Sequence, residues 1–181
     1  MAHLLRGLIL LMVVGTFLTI GQAFGWTALP YNHIQLAIPV FLYTIFAQAF
    51  VMFYFIGVSR LVDNVYLILH SETNLDELFE EAPSDLEPYK KKVKQFSEVS
   101  TRSKRQTIPW TMLMLILGMA AFFLGGAHDT GMVQKTTHSG VVLGFTAAMI
   151  IGFFRQWYYL GKAHVLLRKI KTLFDIPDAS M

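Results

Sequence analysis

Cysteine is absent from this sequence. That excludes disulfides, iron–sulfur clusters and thiolate metal sites, and leaves His, Asp and Met as the available ligand types. Charge is scarce and segregated. Charged residues make up 15% of the chain and hydrophobic ones 54%, where a soluble domain carries about 25% charged residues. No Asp, Glu, Lys or Arg occurs between Arg6 and Arg60, between Arg105 and Asp129, or between Lys135 and Arg155. These stretches therefore lack the intramembrane carboxylates on which proton pumps and ion-coupled transporters rely. Phosphate-binding loops, HExxH zinc motifs and Ser-His-Asp patterns are missing as well, which disfavours an independent enzyme.

What is present is apolar length. Four stretches, about 8–26, 34–58, 108–124 and 138–160, have the roughly 20 apolar residues needed to cross about 30 Å of hydrocarbon. Alternation of period two is absent, which disfavours a β-barrel. Each span is therefore expected to be helical, since lipid offers backbone polar groups no partner. Arg6 and the small residues Gly21 to Ala23 resemble the ends of a signal peptide. The apolar run between them is long for that role, and it reads as a retained helix.

Lys and Arg concentrate in three places. They are the residues before the first span, the 59–107 connection with "KKKVK" (90–94) and "RSKR" (102–105), and the segment after residue 160. The two short connections, 27–33 and 125–137, contain only Lys135. By the positive-inside rule both termini and the long connection are cytoplasmic and both short loops face out. The expected class is an all-α integral membrane protein, an up-down antiparallel bundle of four transmembrane helices in the cytoplasmic (inner) membrane of a bacterium. The first hairpin occupies 1–58, a helical cytoplasmic connection 59–107, the second hairpin 108–160, and an amphipathic tail 161–181. In the connection, Leu61, Val65, Ile68 and Leu69 share a face, as do Leu86, Tyr89, Val93 and Phe96. Asn74 and Ser84 are the expected caps of two helices there. Leu166, Ile170 and Leu173 give the tail an apolar face suited to the lipid surface or to the stalk, with its bases meeting anionic headgroups. The lysine runs are read as membrane signals, and no nucleic-acid partner is implied.

"FYFIG" (53–57) and "WYYLG" (157–161) lie 104 residues apart, and each ends a span. Allowing one inserted residue, His33 falls on His138, the first after Asn32 and the second after Thr136 or Thr137 as the expected N-cap group. A duplicated helix hairpin explains these matches. The shared composition of membrane interfaces explains them equally.

The outer face gathers His33, His128, Asp129 and His138. Imidazole suits Zn, Cu and Fe, with Asp129 as ligand or as partner of a ring N–H. The chemistry open to this set is a Cu or Zn ion, or haem b with His33 and His138 as axial ligands. The alternative is plain interface polarity, since "HDTG" (128–131) is also a turn sequence. On the fourth span Gly140, Gly144, Ala148 and Gly152 recur every four residues, a stripe that lets another helix approach closely. His138 lies about 200° from Gly140, so the stripe and His138 are expected to face different neighbours. Gln48, with Thr44 one turn before it, is a polar group within a span that more often bonds a neighbouring helix than a substrate. Arg155 sits near the inner boundary, where it can snorkel or meet a headgroup or quinone.

Three readings follow. The first is a non-catalytic integral subunit that scaffolds a larger, respiratory or redox, membrane complex, with other subunits or a second copy as partner. The second is a small cytochrome b-like or metal-binding electron-transfer subunit. The third is an oligomeric carrier or channel. Four-helix membrane anchors of respiratory complexes look broadly similar, a likeness of fold alone and without their ligand motifs.

Overall fold

Apolar residues spaced alternately by three and four recur along every long segment of this chain, and they dictate how it packs. The computed structural model describes residues 1–80 and 83–175. It contains α1 (Ala2–Ala23), α2 (His33–Ser71), a 3₁₀ turn (Leu75–Glu77), α3 (Glu87–Asp129) and α4 (Lys135–Leu173). No strand occurs among the described residues, and all four helices are long and apolar enough to cross a membrane. In α2 the buried seam runs Thr44, Gln48, Val51, Phe55, Val58, Val62, Val65, Leu69. In α1 it runs Ala2, Leu5, Ile9, Met12, Thr16. Such a seam of alternating three and four keeps one narrow face toward its neighbours, as in left-handed bundles. α1 packs on α2 and α4, and α3 packs on the same two helices, so α2 and α4 face each other across the diagonal.

Three helices run unbroken from the apolar spans into the connection and tail. Each of these spans and its extension make a single rod, and the extensions form a stalk. Val62, Val65 and Leu69 of α2 meet Val93 of α3 and Leu166, Ile170 and Phe174 of the tail in one apolar cluster. One expectation changes here and another is narrowed. Leu61 is 44% exposed, because the seam of three and four selects Val62 instead. Of the two surfaces open to the tail, its described part takes the stalk, where Leu166 and Ile170 are buried. A basic amphipathic face looks the same whichever apolar surface receives it. Residues 176–181 of the tail lie outside the described residues.

The caps also differ from expectation. Asn74 makes no side-chain cap to the backbone, and only a 3₁₀ turn follows it. α3 begins at Glu87 after Leu86, with Pro88 in its first turn, because Pro is well suited to a helix start. Asp85 rather than Ser84 takes the Glu87 N–H, at 3.0 Å. Residues 81–82 of the expected short helix lie outside the described residues. An ion pair of 2.7 Å joins Glu72 to Lys90 across the connection. That bond holds the Glu72 carboxyl below its ordinary range, but Glu72 is too exposed for the pair to matter much to stability.

At mid-bundle the seams turn polar. The Gln156 amide donates to Gln48 Oε1 at 2.7 Å and lies 2.9 Å from Thr111 Oγ1. The Gln48 amide meets Met12 Sδ at 3.2 Å. Both glutamines are fully buried. One cluster thus ties α4 to α2 across the diagonal and reaches α3 and α1. Below it Arg155 stacks over Trp110 and donates to the Gln106 carbonyl at 3.1 Å and to the Gln106 side chain. The expected free Arg155, ready for a headgroup or quinone, is therefore engaged by α3.

Gln156→Leu alone strands two buried polar partners and is expected to cost about 1–3 kcal/mol. Adding Gln48→Leu is expected to cost less than the sum of the single changes, in a double-mutant cycle on unfolding in detergent. Additive costs would show that the amides do not interact. For the tail, Leu166→Ala or Ile170→Ala is expected to cost about 2–5 kcal/mol in detergent. A surface-lying helix would lose almost nothing.

Candidate functional site

Two turns set the site, both at the end of the bundle away from the stalk. α1 ends at Ala23, and Gly25 takes φ +70° to reverse the chain, a conformation that costs glycine little. α2 then starts with a capping box. Asn32 Oδ1 accepts from the Gln35 N–H at 2.9 Å, and Gln35 Oε1 accepts from the Asn32 N–H at 3.0 Å. This fixes His33 as the first residue of α2. The second turn is shorter than the expected 125–137 loop. "GGAHD" is the last turn and a half of α3, and only residues 130–134 connect to α4. Gly131 takes φ +75° there, as its place in "HDTG" suggests. α4 starts directly after Gln134, whose side chain makes no cap, and Thr136 and Thr137 lie within its first turn, so His138 sits one turn inside the helix.

His33, Asp129 and His138 line a single cavity of about 320 Å³ between the four helices. Its walls are apolar and include Phe41 and Phe122, which stack on each other at 4.5 Å. Thr16, Thr19 and Thr44 also line it. Their hydroxyls donate to the carbonyls of Met12, Gly15 and Val40 one turn back, which leaves oxygen lone pairs available. The cavity reaches down to Thr44, Gly118 and Phe145. Gln48 is one turn below Thr44, and its cluster lies beneath.

Small residues keep this end open. A Cβ on Gly118 would meet the Phe145 ring at 3.2 Å, and one on Gly125 would meet His138 Cε1 at 3.2 Å. Glycine at these positions lets α3 approach α4 while an aromatic or imidazole ring fills the gap. His138 Nδ1 is buried and has no hydrogen-bond partner. A bare buried nitrogen costs about 1–3 kcal/mol, so a bound group that met it would regain that energy. His33, His128 and Asp129 are the ionisable groups that act on the His138 ring.

The expected cluster of four is thus brought together in part. His128 stacks on His138 at 6.1 Å, its Nδ1 held by the Val133 carbonyl at 3.1 Å. It stands behind His138 and does not line the cavity. Among the described residues, no group of three or more His, Asp or Glu side chains is placed to hold a metal ion. The Cu or Zn version of the site therefore finds no support in the geometry.

The small-residue stripe on α4 divides. A stripe of period four advances about 400° per step, so it winds by about 40° each time. Over three steps the drift is about 120°. Gly152 consequently points into the bundle, where a Cβ would strike Met114 at 2.7 Å, and Ala148 is buried beside it. Gly140 and Gly144 have nothing within 4 Å. His138 shares the inward face with Phe145, Met149, Gly152 and Gln156. The expected choice between His138 and the stripe therefore dissolves: the lower stripe and His138 both face in, and the upper stripe faces away. The Met114 contact and the Gln48–Gln156 pair went unread in the sequence, where nothing joins residues so distant.

Gly125→Val is expected to destabilise the protein by about 1–3 kcal/mol through overpacking against His138. Gly126→Ala, with open space at its Cβ, is expected to be neutral or stabilising by about 0.5–1 kcal/mol. Thermal unfolding of both variants in detergent checks the contrast, and equal effects would refute the close approach at Gly125. No known protein family, curated protein or solved structure matches the chain.

Proposed function

We propose that this protein is a non-catalytic integral membrane subunit of a larger membrane complex, and that it holds a lipophilic redox group, a haem or a quinone, at the outer end of its bundle. The carrying observation is that His33, Asp129 and His138, from three different helices, line one apolar cavity. A mostly apolar pocket with a few convergent polar groups is the usual form of a small-molecule site, and about 320 Å³ lies at the lower end of the 300–1,000 Å³ such sites span. His138 Nδ1, buried without a partner, supports a ligand that either coordinates imidazole or bonds it through oxygen. His33 and His138 come from the diagonal pair of helices, which suits a flat group held between them.

The distribution of Lys and Arg supports an orientation with the stalk and both termini in the cytoplasm, so the cavity opens toward the opposite face. Gly140 and Gly144, with nothing against them, support a further helix packing on α4. The lack of carboxylates within the spans counts against an ion-coupled carrier.

Protein purified from its native membrane in mild detergent is expected to carry the group. A Soret band identifies haem, and an ultraviolet-absorbing lipophile in an organic extract identifies a quinone. Either signal is expected to fall at least about tenfold in His138→Ala, as loss of roughly 1.4 kcal/mol or more requires. A colourless protein with an empty extract overturns the reading.

A further inference from the structure

We infer that the stalk-side boundary between α1 and α4 holds an anionic phospholipid by its phosphate. Four basic side chains gather there: His3 and Arg6 from α1, and His164 and Arg168 from α4. The His3 and His164 rings meet edge to face at 5.7 Å. Arg6 stacks over Trp157 at 5.0 Å and donates from Nη2 to the Trp157 carbonyl at 3.1 Å. Its Nε is buried and has no partner. Gly161 clears the place for it, since a Cβ there would lie 2.6 Å from Arg6 Nη2. Beneath these groups Ala2 and Ala163 are buried, so the two helices are in close contact and cannot spread to separate the charges.

Among the described residues, no acid compensates this cluster. Among the described residues, the one ion pair is Glu72 with Lys90, in the α2–α3 connection. His164 is pushed below the ordinary histidine range first by burial and then by Arg168, His3, the N-terminal amine and Arg6, and no carboxylate among the described residues acts on it. Like charges packed together on two fixed helices repel unless a counter-charge joins them. The setting identifies which anion. Trp157 and Tyr158 are partly exposed beside the cluster, and such aromatic rings mark the headgroup level of a bilayer. Lys162 lies over the Tyr158 ring at 4.6 Å and adds a further cation at the same height. Guanidinium groups bind phosphate oxygens in a matched fork. A phosphodiester at the end of two acyl chains meets these donors from the lipid side, and basic pockets between transmembrane helices suit such headgroups. This inference rests on the helices being membrane spans and is independent of what the cavity at the other end holds.

The test is thermal unfolding of the full chain in nanodiscs of phosphatidylcholine alone and of phosphatidylcholine with phosphatidylglycerol. Phosphatidylglycerol is expected to raise Tm by at least about 4 °C. Arg168→Gln and His164→Gln are expected to remove most of that rise. Lys169→Gln, which deletes the same charge one residue further on, is expected to keep it. Both cluster variants lie at or near the surface, and their Tm in phosphatidylcholine serves as the folding control. Equal Tm in the two lipids overturns the site. So does an equal loss in Lys169→Gln, which would indicate diffuse attraction only. A matching rise from inorganic phosphate in phosphatidylcholine alone would overturn the lipid assignment in favour of a soluble anion.

Discussion

The hydrogen bond between Gln156 and Gln48 spans the diagonal of the bundle, and the rest of the structure hangs on it. Apolar seams alone leave helices free to slide, because one buried Val or Leu substitutes well for the next. A pair of buried amides does not permit that. Shifting α4 by one turn against α2 would leave two amides and the Thr111 hydroxyl unpaired at 0% exposure. Polar residues at single seam positions set register in this way elsewhere, at some cost in stability. Here the register has a consequence for the end of the bundle away from the stalk. It holds the first turns of α2 and α4 at one level, so that His33 and His138 reach the same cavity. Arg155 on Gln106 and Arg6 on Trp157 tie α4 to its two neighbours on the stalk side.

Much of this was legible in the sequence. Stretches without Asp, Glu, Lys or Arg mark all four apolar helices, because burying a charge in a span is costly enough to keep such runs clean. The turn at Gly131 and the cap at Asn32 follow from local chemistry that requires those residue types. The seams of three and four in the connection also predict buried faces, and Val93 occupies the place they give it.

Other features depend on partners that a single segment does not reveal. Leu166 and Ile170 present an apolar face, and whether lipid or protein covers it depends on α2 and α3. Leu61 and Val62 are adjacent and equally apolar, so only the phase of the whole α2 seam decides which is buried. Arg155 near a boundary suggests snorkelling until Gln106 and Trp110, on another helix, are seen to engage it. The candidate site was half legible. Four polar residues at one level were evident, but their inward or outward direction was not. The stripe at Gly140–Gly152 looked like one face because a period of four lies close to the helical repeat. Its drift of about 120° separates an inner half from an outer half.

The central claim is that His33 and His138 line one cavity between the helices and do not fan out around the rim of the bundle. A chain without cysteine makes that directly measurable. The double variant His33→Cys/His138→Cys, treated in membranes with a short bifunctional thiol reagent, is predicted to cross-link within one monomer. Pairing His33→Cys with a cysteine at Leu143, which is 68% exposed, is predicted to give labelling but no cross-link. Cross-linking of the Leu143 pair with none between positions 33 and 138 would contradict the account.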